Sequence, residues 1–141
     1  SIEVVLDAIN HCPSYDWVIL LQPTSPFRTH NDIDMAIEKS IWSNSKSCVS
    51  VVKINQNPHW MYELTEDCRL KKIAQGPDYL RRQDVPNIYK LNGAIYLSEI
   101  ERLKQTKSFV DDQTLAYEMQ TSSSFDIDTE DDFLKCEQIT I

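Results

Sequence analysis

Two aspartates separated by one residue are the side chains in this sequence best suited to metal chemistry. Asp126 and Asp128 flank Ile127, and Thr129 then begins a predicted helix. In an extended segment, alternate residues point to the same side, so both carboxylates can face one ion. Such oxygen ligands suit Mg²⁺, which keeps several waters and bridges substrate phosphates. The alternative is that these acids only stabilise the start of a helix, because Asp-x-Asp is a common pattern.

A polar turn after an apolar run is the second candidate. Residues 17–21 are all apolar, which predicts a strand buried on both faces of a sheet. Pro23 and Pro26 then prevent further strand pairing. Ligands of open α/β sheets bind beyond the carboxyl ends of strands, and the Gln22 amide could bind sugar hydroxyls or an N-acyl group. A turn that merely connects a strand to a helix would explain the same residues.

Adjacent arginines form the third candidate. Arg81 and Arg82 lie in a stretch without helical periodicity. A guanidinium group can bind a carboxylate through two parallel hydrogen bonds, which lysine does less well. The alternative is a solvated surface pair. The three histidines show no metal-ligand spacing, and no nucleophile motif of the Gly-x-Ser-x-Gly type is present.

The composition favours a globular α/β domain. The chain has 141 residues, 41% hydrophobic and 26% charged, which is enough to build one core. No apolar run approaches the ~20 residues of a membrane helix, and no signal peptide is visible, which predicts a cytoplasmic protein. The net charge of −8 disfavours nucleic-acid binding. Four cysteines without metal spacing are typical of free thiols in a reducing compartment.

Periodicity predicts alternating helices and strands. Helices are expected over 1–10, from Thr29 to residue 44 or 45, from Ser98 to about 106, and from Thr129 onward. Strands are expected over 17–21, 48–54, 93–97 and 114–119, with a short helix as the alternative for 114–119. Capping boxes are predicted at Thr29, Ser98 and Thr129. The buried stripe of the second helix is predicted to be Ile33, Ala36, Ile37 and Ile41. The order strand, helix, strand from 17 to 54 predicts a β-α-β crossover.

The middle of the chain interrupts this alternation. Residues 60–64 and 69–73 look like two short strands joined by a turn at 65–68, and helical periodicity is weak throughout 55–92. We therefore expect residues 55–92 to form a small β-rich excursion from the main sheet, within a domain that spans residues 1–141.

Three segments resemble one enzyme family. Residues 20–28 (LLQPTSPFR), 82–96 (RQDVPNIYKLNGAIY) and 126–133 (DIDTEDDF) resemble motifs of the acylneuraminate cytidylyltransferases, also called CMP-sialic acid synthetases, in the same order. Each motif alone is moderately specific. Because the three are spread along the sequence, the resemblance covers nearly the whole chain.

This resemblance implies a Rossmann-like nucleotide-diphospho-sugar transferase fold with a mixed sheet. The family carries a glycine-rich phosphate loop near its N-terminus, whereas this chain has only Gly76 and Gly93 and no such loop. We therefore expect a C-terminal part of a longer enzyme, incomplete at the N-terminus and inactive alone. The excursion at 55–92 matches the family's dimerisation arm, which implies a homodimer.

The resemblance also assigns roles to single residues. It implies that Asp126 and Asp128 bind Mg²⁺ and that Arg82 binds the carboxylate of the sugar. Gln22 matches a sugar-contacting glutamine of the family, and Tyr96 and Phe109 match positions that line its sugar pocket. Asn92, which flanks the Gly93 strand, is a further candidate for substrate binding. Either aromatic residue could instead belong to the core, and for Phe109 the core interpretation is favoured.

The implied reaction joins CTP to an acidic nine-carbon sugar, giving a CMP-sugar and pyrophosphate for surface glycan biosynthesis. Two alternatives stay open: a metal-dependent glycosyltransferase that uses Asp-x-Asp to hold a sugar nucleotide, and a non-catalytic α/β dimer module. The sugar also stays open among the neuraminic, legionaminic and pseudaminic types. A position where the family often has a sugar-contacting lysine falls near Trp60 here.

Overall fold

The computed structural model describes residues 2–12, 14–74 and 86–139. It contains two compact units, one formed by Ser1–Val52 with Leu91–Ile141 and the other by Lys53–Lys90. The helices are α1 (Ile2–Asn10), α2 (His30–Trp42), α3 (Ile100–Thr106) and α4 (Glu130–Glu137). The strands are β1 (Trp17–Leu20), β2 (Ser47–Ile54), β3 (Tyr62–Leu64), β4 (Leu70–Lys72), β5 (Ile88–Glu99) and β6 (Leu115–Met119).

A four-stranded mixed sheet, in the order β1-β5-β2-β6, organises the larger unit. Strands β2 and β6 are parallel, with Cys48 opposite Leu115. Strands β1 and β5 are antiparallel, with Trp17 opposite Glu99 and Leu20 opposite Tyr96. The predicted α/β class with a mixed sheet is therefore confirmed. The predicted β-α-β unit has a further strand within it. Helix α2 connects β1 to β2, and β5 lies between these two strands in the sheet.

Helices on both faces of the sheet build two hydrophobic clusters. Successive residues of β2 point to opposite faces, so Val49 belongs to one cluster and Cys48 to the other. The first cluster is formed by Ile9, Val49, Val51, Ile100, Leu103 and Phe109. The second is formed by Ala36, Cys48, Ala94, Ile95, Leu97 and Met119. This arrangement makes β5 and β2 the best-buried strands.

The burial of β1 was predicted correctly only in part: Val18 and Leu20 pack against the first cluster and Ile19 against the second, but none of them is fully buried. Trp17 is 42% exposed, and Val18, Ile19 and Leu20 are only half-buried. In the described part of the chain, β1 pairs with β5 along one edge and has no strand along the other. An unbroken apolar run therefore marks an edge strand here, where the sequence predicted burial on both faces.

The start of α2 agrees with its sequence. Thr29 Oγ1 accepts a hydrogen bond from the Asp32 amide, and the Asp32 carboxylate accepts one from the Thr29 amide. The predicted burial of Ile41 is wrong, since Ile41 is 69% exposed and Ser40 is buried instead. Ser40 lies seven residues after Ile33, close to two full turns, whereas Ile41 is rotated by roughly 80° from Ile33 at 3.6 residues per turn.

The last two helices begin differently from each other. The capping box at Thr129 and Asp132 is present, as predicted. The predicted cap at Ser98 is wrong, because Ser98 is buried within β5 and α3 begins at Ile100 after Glu99, which makes no side-chain cap bond. The strand continues through Ser98 because its pairing with Val18 holds the backbone extended.

The smaller unit contains the predicted hairpin. Strands β3 and β4 pair antiparallel, with Tyr62 opposite Lys72 and Leu64 opposite Leu70. Thr65 Oγ1 accepts a hydrogen bond from the Arg69 amide and closes the turn. A role of this unit in dimerisation stays a prediction. No helix in the described part of the chain is long and apolar enough to cross a membrane.

Replacing Asp111 by asparagine is expected to lower the free energy of unfolding at neutral pH. The variant should then lose less of its stability than wild type does when the pH falls. The Gln113 amide, the Thr114 hydroxyl and the Arg102 guanidinium bind Asp111 and lower the pKa of its carboxyl group. A lowered pKa gives stability above the ordinary carboxyl pKa, and that stability is lost as pH falls through the folded value. Urea unfolding at pH 7 and pH 3 measures both effects, with Asp112→Asn as the control. Equal pH profiles for Asp111→Asn and wild type would contradict this prediction.

Candidate active site

Gly93 is the residue at which the end of β1 and the segment before α4 meet. It has φ +77°, and a Cβ atom placed on it would lie 2.7 Å from Gln22 Oε1 and 3.2 Å from Asp126 Oδ2. Glycine adopts this backbone conformation freely, whereas residues with a Cβ do so at a cost. The Gln22 amide and the Asp126 carboxylate therefore contact the same stretch of backbone, and one small molecule could touch both.

One oxygen of the Asp126 carboxylate lacks a hydrogen-bond partner. This atom is Oδ1, and it is buried. A buried carboxylate oxygen without a partner is costly, which makes it a good position for a ligand or an ion. The Ile127 amide donates to the Thr24 carbonyl at 2.9 Å, so this segment is bound to the turn that follows Gln22.

The donor set at this position fits a magnesium ion that is shared with a substrate. Asp126 is half-buried, and Asp128 is exposed. Among the described residues, no group of three or more His, Cys, Asp or Glu side chains could hold a metal. Mg²⁺ commonly binds through one or two carboxylates, with water and substrate phosphates as its other ligands, so two aspartates are sufficient.

Asn92 occupies the centre of a buried polar network. Its side chain accepts a hydrogen bond from Ser50 Oγ at 2.6 Å and donates to Ser124 Oγ at 2.9 Å and Met119 Sδ at 3.2 Å. The residue is 2% exposed. These bonds hold β5, β2 and the segment before Asp126 in register. Contact between Asn92 and a substrate stays a prediction.

Tyr96 and Phe109 pack against each other beside this network. Their ring centroids lie 5.6 Å apart, and the rings are tilted by 55°. Burial, and then the charge of Asp126, raise the pKa of the half-buried Tyr96, which therefore stays a neutral hydrogen-bond donor. Phe109 is 8% exposed and belongs to a core cluster, in agreement with the favoured core interpretation.

Arg28 has a role that sequence reasoning missed. Its Nη1 atom donates to the carbonyl of Gln22 at 3.1 Å and to the carbonyl of Ala94 at 2.8 Å. Every residue offers a carbonyl, so no side-chain pattern in the sequence could indicate these partners. Arg81 and Arg82 lie outside the described residues, and Trp60 belongs to the smaller unit.

Known proteins align with this chain over most of its length. The chain is 31% identical over 134 residues to an N-acylneuraminate cytidylyltransferase of Streptococcus agalactiae serotype V. It is 36% identical over 126 residues to a CMP-N,N'-diacetyllegionaminic acid synthase of Legionella pneumophila. By sequence, the chain is similar to a part of the acylneuraminate cytidylyltransferases. A third relative, the post-translational flagellin modification protein B of Campylobacter coli, is 29% identical over 138 residues.

These alignments cover much of this chain but less of its relatives. They include 95%, 89% and 94% of the chain, which corresponds to 32%, 54% and 58% of the three relatives. No protein-family model matches the chain. The chain thus spans between about a third and three fifths of the length of the relatives compared.

Proposed function

We propose that this chain supplies the sugar-binding and metal-binding part of a cytidylyltransferase that acts on a nonulosonic acid and CTP. The observation that carries the proposal is the meeting of Gln22 and Asp126 at Gly93. Two further points support it: the unpartnered Asp126 oxygen and the sequence similarity to acylneuraminate cytidylyltransferases. The proposal includes the Rossmann-like nucleotide-diphospho-sugar transferase fold.

The reaction forms a bond between the sugar's 2-hydroxyl oxygen and the α-phosphorus of CTP. The bond from that phosphorus to the bridging oxygen of the pyrophosphate breaks, pyrophosphate leaves with that oxygen, and the hydroxyl proton passes to solvent. The Gln22 amide would hold a sugar hydroxyl or the N-acyl group, Arg82 the sugar carboxylate, and the Tyr96 hydroxyl a further oxygen of the sugar. Asn92 would keep the Gly93 backbone in place for these contacts.

Asp126 and Asp128 would hold Mg²⁺. When bound, this ion would neutralise negative charge on the phosphates, and positioning would supply most of the remaining catalysis. The buried Oδ1 atom of Asp126 is the ligand that the fold leaves available.

Replacing Asp126 by asparagine is expected to weaken metal binding at least about tenfold, because an amide supplies one neutral oxygen in place of a carboxylate. Electron paramagnetic resonance of Mn²⁺ titrated into the chain measures the bound fraction without any turnover. Asp131→Asn is the control, since Asp131 lies on α4 and pairs with Lys135. Equal Mn²⁺ binding by wild type and Asp126→Asn would disprove the metal assignment and favour the non-catalytic dimer module.

Pyrophosphate release distinguishes the two enzyme alternatives. We expect CTP-dependent pyrophosphate release that requires a nonulosonic acid, in a protein that also contains the nucleotide-binding region of the family. The 141-residue chain alone is expected to show no turnover. A glycosyltransferase would instead consume a nucleotide-sugar and release no pyrophosphate from CTP.

Sedimentation velocity would test the proposed homodimer.

A further inference from the structure

We propose that Arg28 is a positioning residue that sets the Gln22 side chain against Gly93. One guanidinium nitrogen donates to the Gln22 carbonyl and to the Ala94 carbonyl. These two carbonyls belong to the turn after β1 and to the residue that follows Gly93. Arg28 therefore joins the two backbone segments whose spacing decides where Gln22 Oε1 lies. The kinetic consequence of this role rests on the proposed function, whereas the structural consequence does not.

The positively charged guanidinium group of Arg28 interacts with backbone carbonyl groups. In the part of the chain that the structure describes, none of the recorded ion pairs includes Arg28. Hydrogen bonds from a charged donor are stronger than those between neutral groups, so two carbonyls directed at one cation form a firm link. The half-buried position of Arg28 reduces competition from water.

The backbone pairing of β1 with β5, which ends at Leu20 opposite Tyr96, also joins these segments, but the other side-chain and loop links are weaker or lead elsewhere. Ser25 Oγ contacts the Asn92 carbonyl at 3.5 Å, at the limit for a hydrogen bond. The bond from the Ile127 amide to the Thr24 carbonyl joins the turn to the Asp126 segment, not to β5. Arg28 is therefore the main side-chain link between Gln22 and the Gly93 backbone.

The chain offers a matched control for this link. Lys39 Nζ donates to the Ala116 carbonyl of β6 at 2.8 Å, so it also joins a cationic side chain to a strand carbonyl. Ala116 lies on β6, away from the Gln22 turn. Lys39→Met removes a bond of the same kind, and it should leave the Gly93 and Gln22 signals and the kinetic constants unchanged.

Two variants test the proposal by nuclear magnetic resonance and kinetics. Arg28→Met removes both bonds at similar side-chain length, and Arg28→Lys keeps the charge on a shorter group. We expect Arg28→Met to shift the Gly93 amide and Gln22 side-chain signals while most other signals stay in place. In the complete enzyme it should raise KM for the sugar about tenfold, with KM for CTP within twofold. Arg28→Lys should recover part of both effects.

The outcomes separate this inference from the proposed function. Shifted Gly93 and Gln22 signals, together with no pyrophosphate release by the protein that also contains the nucleotide-binding region, would support the role of Arg28 and refute the enzyme assignment. Unchanged signals and unchanged KM for the sugar would overturn the inference. Signal changes spread through the whole fold would also overturn it, because they indicate a general structural role. If Arg28→Met does not fold, Arg28→Lys decides, and wild-type kinetics in that variant would overturn the proposal.

Discussion

Replacing Gly93 by alanine in the complete enzyme that we propose is expected to slow CMP-sugar formation about 100-fold, since misplacing reacting groups by about 1 Å costs that much. The added Cβ atom would lie 2.7 Å from Gln22 Oε1, so the amide must move. The backbone at φ +77° adds a cost of about 1–2 kcal/mol for a residue with a Cβ. Steady-state kinetics and urea unfolding measure the two effects separately.

A double variant separates these two effects in the Gly93 substitution. Gln22 is the flexible neighbour, so Gln22→Ala should relieve the contact when combined with Gly93→Ala. We expect the double variant to recover part of the stability and none of the sugar binding. If Gly93→Ala alone retains wild-type kinetics, then the space beside Gly93 is not where the substrate binds.

Replacing Asn92 by alanine is expected to lower the free energy of unfolding by about 3 kcal/mol, because it removes several buried hydrogen bonds. The change would remove one hydrogen bond from Ser50, which still bonds the Ile95 backbone, and one from Ser124, which still donates to the Gln120 carbonyl. Asn31→Ala is the control, since Asn31 is exposed on α2 and its loss should cost no more than about 0.5 kcal/mol. Urea unfolding of the three proteins gives the comparison.

Ser50→Ala shows whether Asn92 positions the site or also contacts the sugar. It removes one bond to Asn92 and the bonds between Ser50 Oγ and the Ile95 backbone, and it leaves the Asn92 amide in place. A purely positioning role predicts that Ser50→Ala and Asn92→Ala weaken sugar binding in proportion to their effects on stability. A large loss of sugar binding in Asn92→Ala alone would indicate direct contact. If Asn92→Ala and wild type have equal free energies of unfolding, then the hydrogen bonds of Asn92 do not stabilise the fold.

Local sequence was a good guide where a few neighbouring residues determine the structure. The capping boxes at Thr29 and Thr129 each depend on residues three positions apart, and both are present. The turn between β3 and β4 is similarly local. The predictions for Ser98 and Ile41 were wrong because strand pairing held Ser98 in β5 and the rotation of α2 exposed Ile41. The error at Ser98 comes from a pairing distant in sequence, whereas the error at Ile41 follows from the helical period of 3.6 residues.

The residues of the candidate site could be predicted from the sequence, but the contacts that hold them in place could not. Gln22 and Asp126 lie at the end of a strand and before a helix, which are positions that general rules and the family motifs indicate. The link through Arg28 and the network around Asn92 were not predictable, because their partners come from separate segments. A backbone carbonyl or a buried serine gives no sign in the sequence of what will bind it.

The unpaired edge of β1 bears on how the isolated chain will behave at high concentration. Within the described sheet, β1 and β6 are the two outer strands, and Lys39 covers one carbonyl of β6. The residues Trp17–Leu20 carry no charge, and uncharged outer strands tend to recruit strands from other molecules. Samples prepared for spectroscopy should therefore aggregate as they are concentrated, and Trp17→Lys should raise the solubility limit.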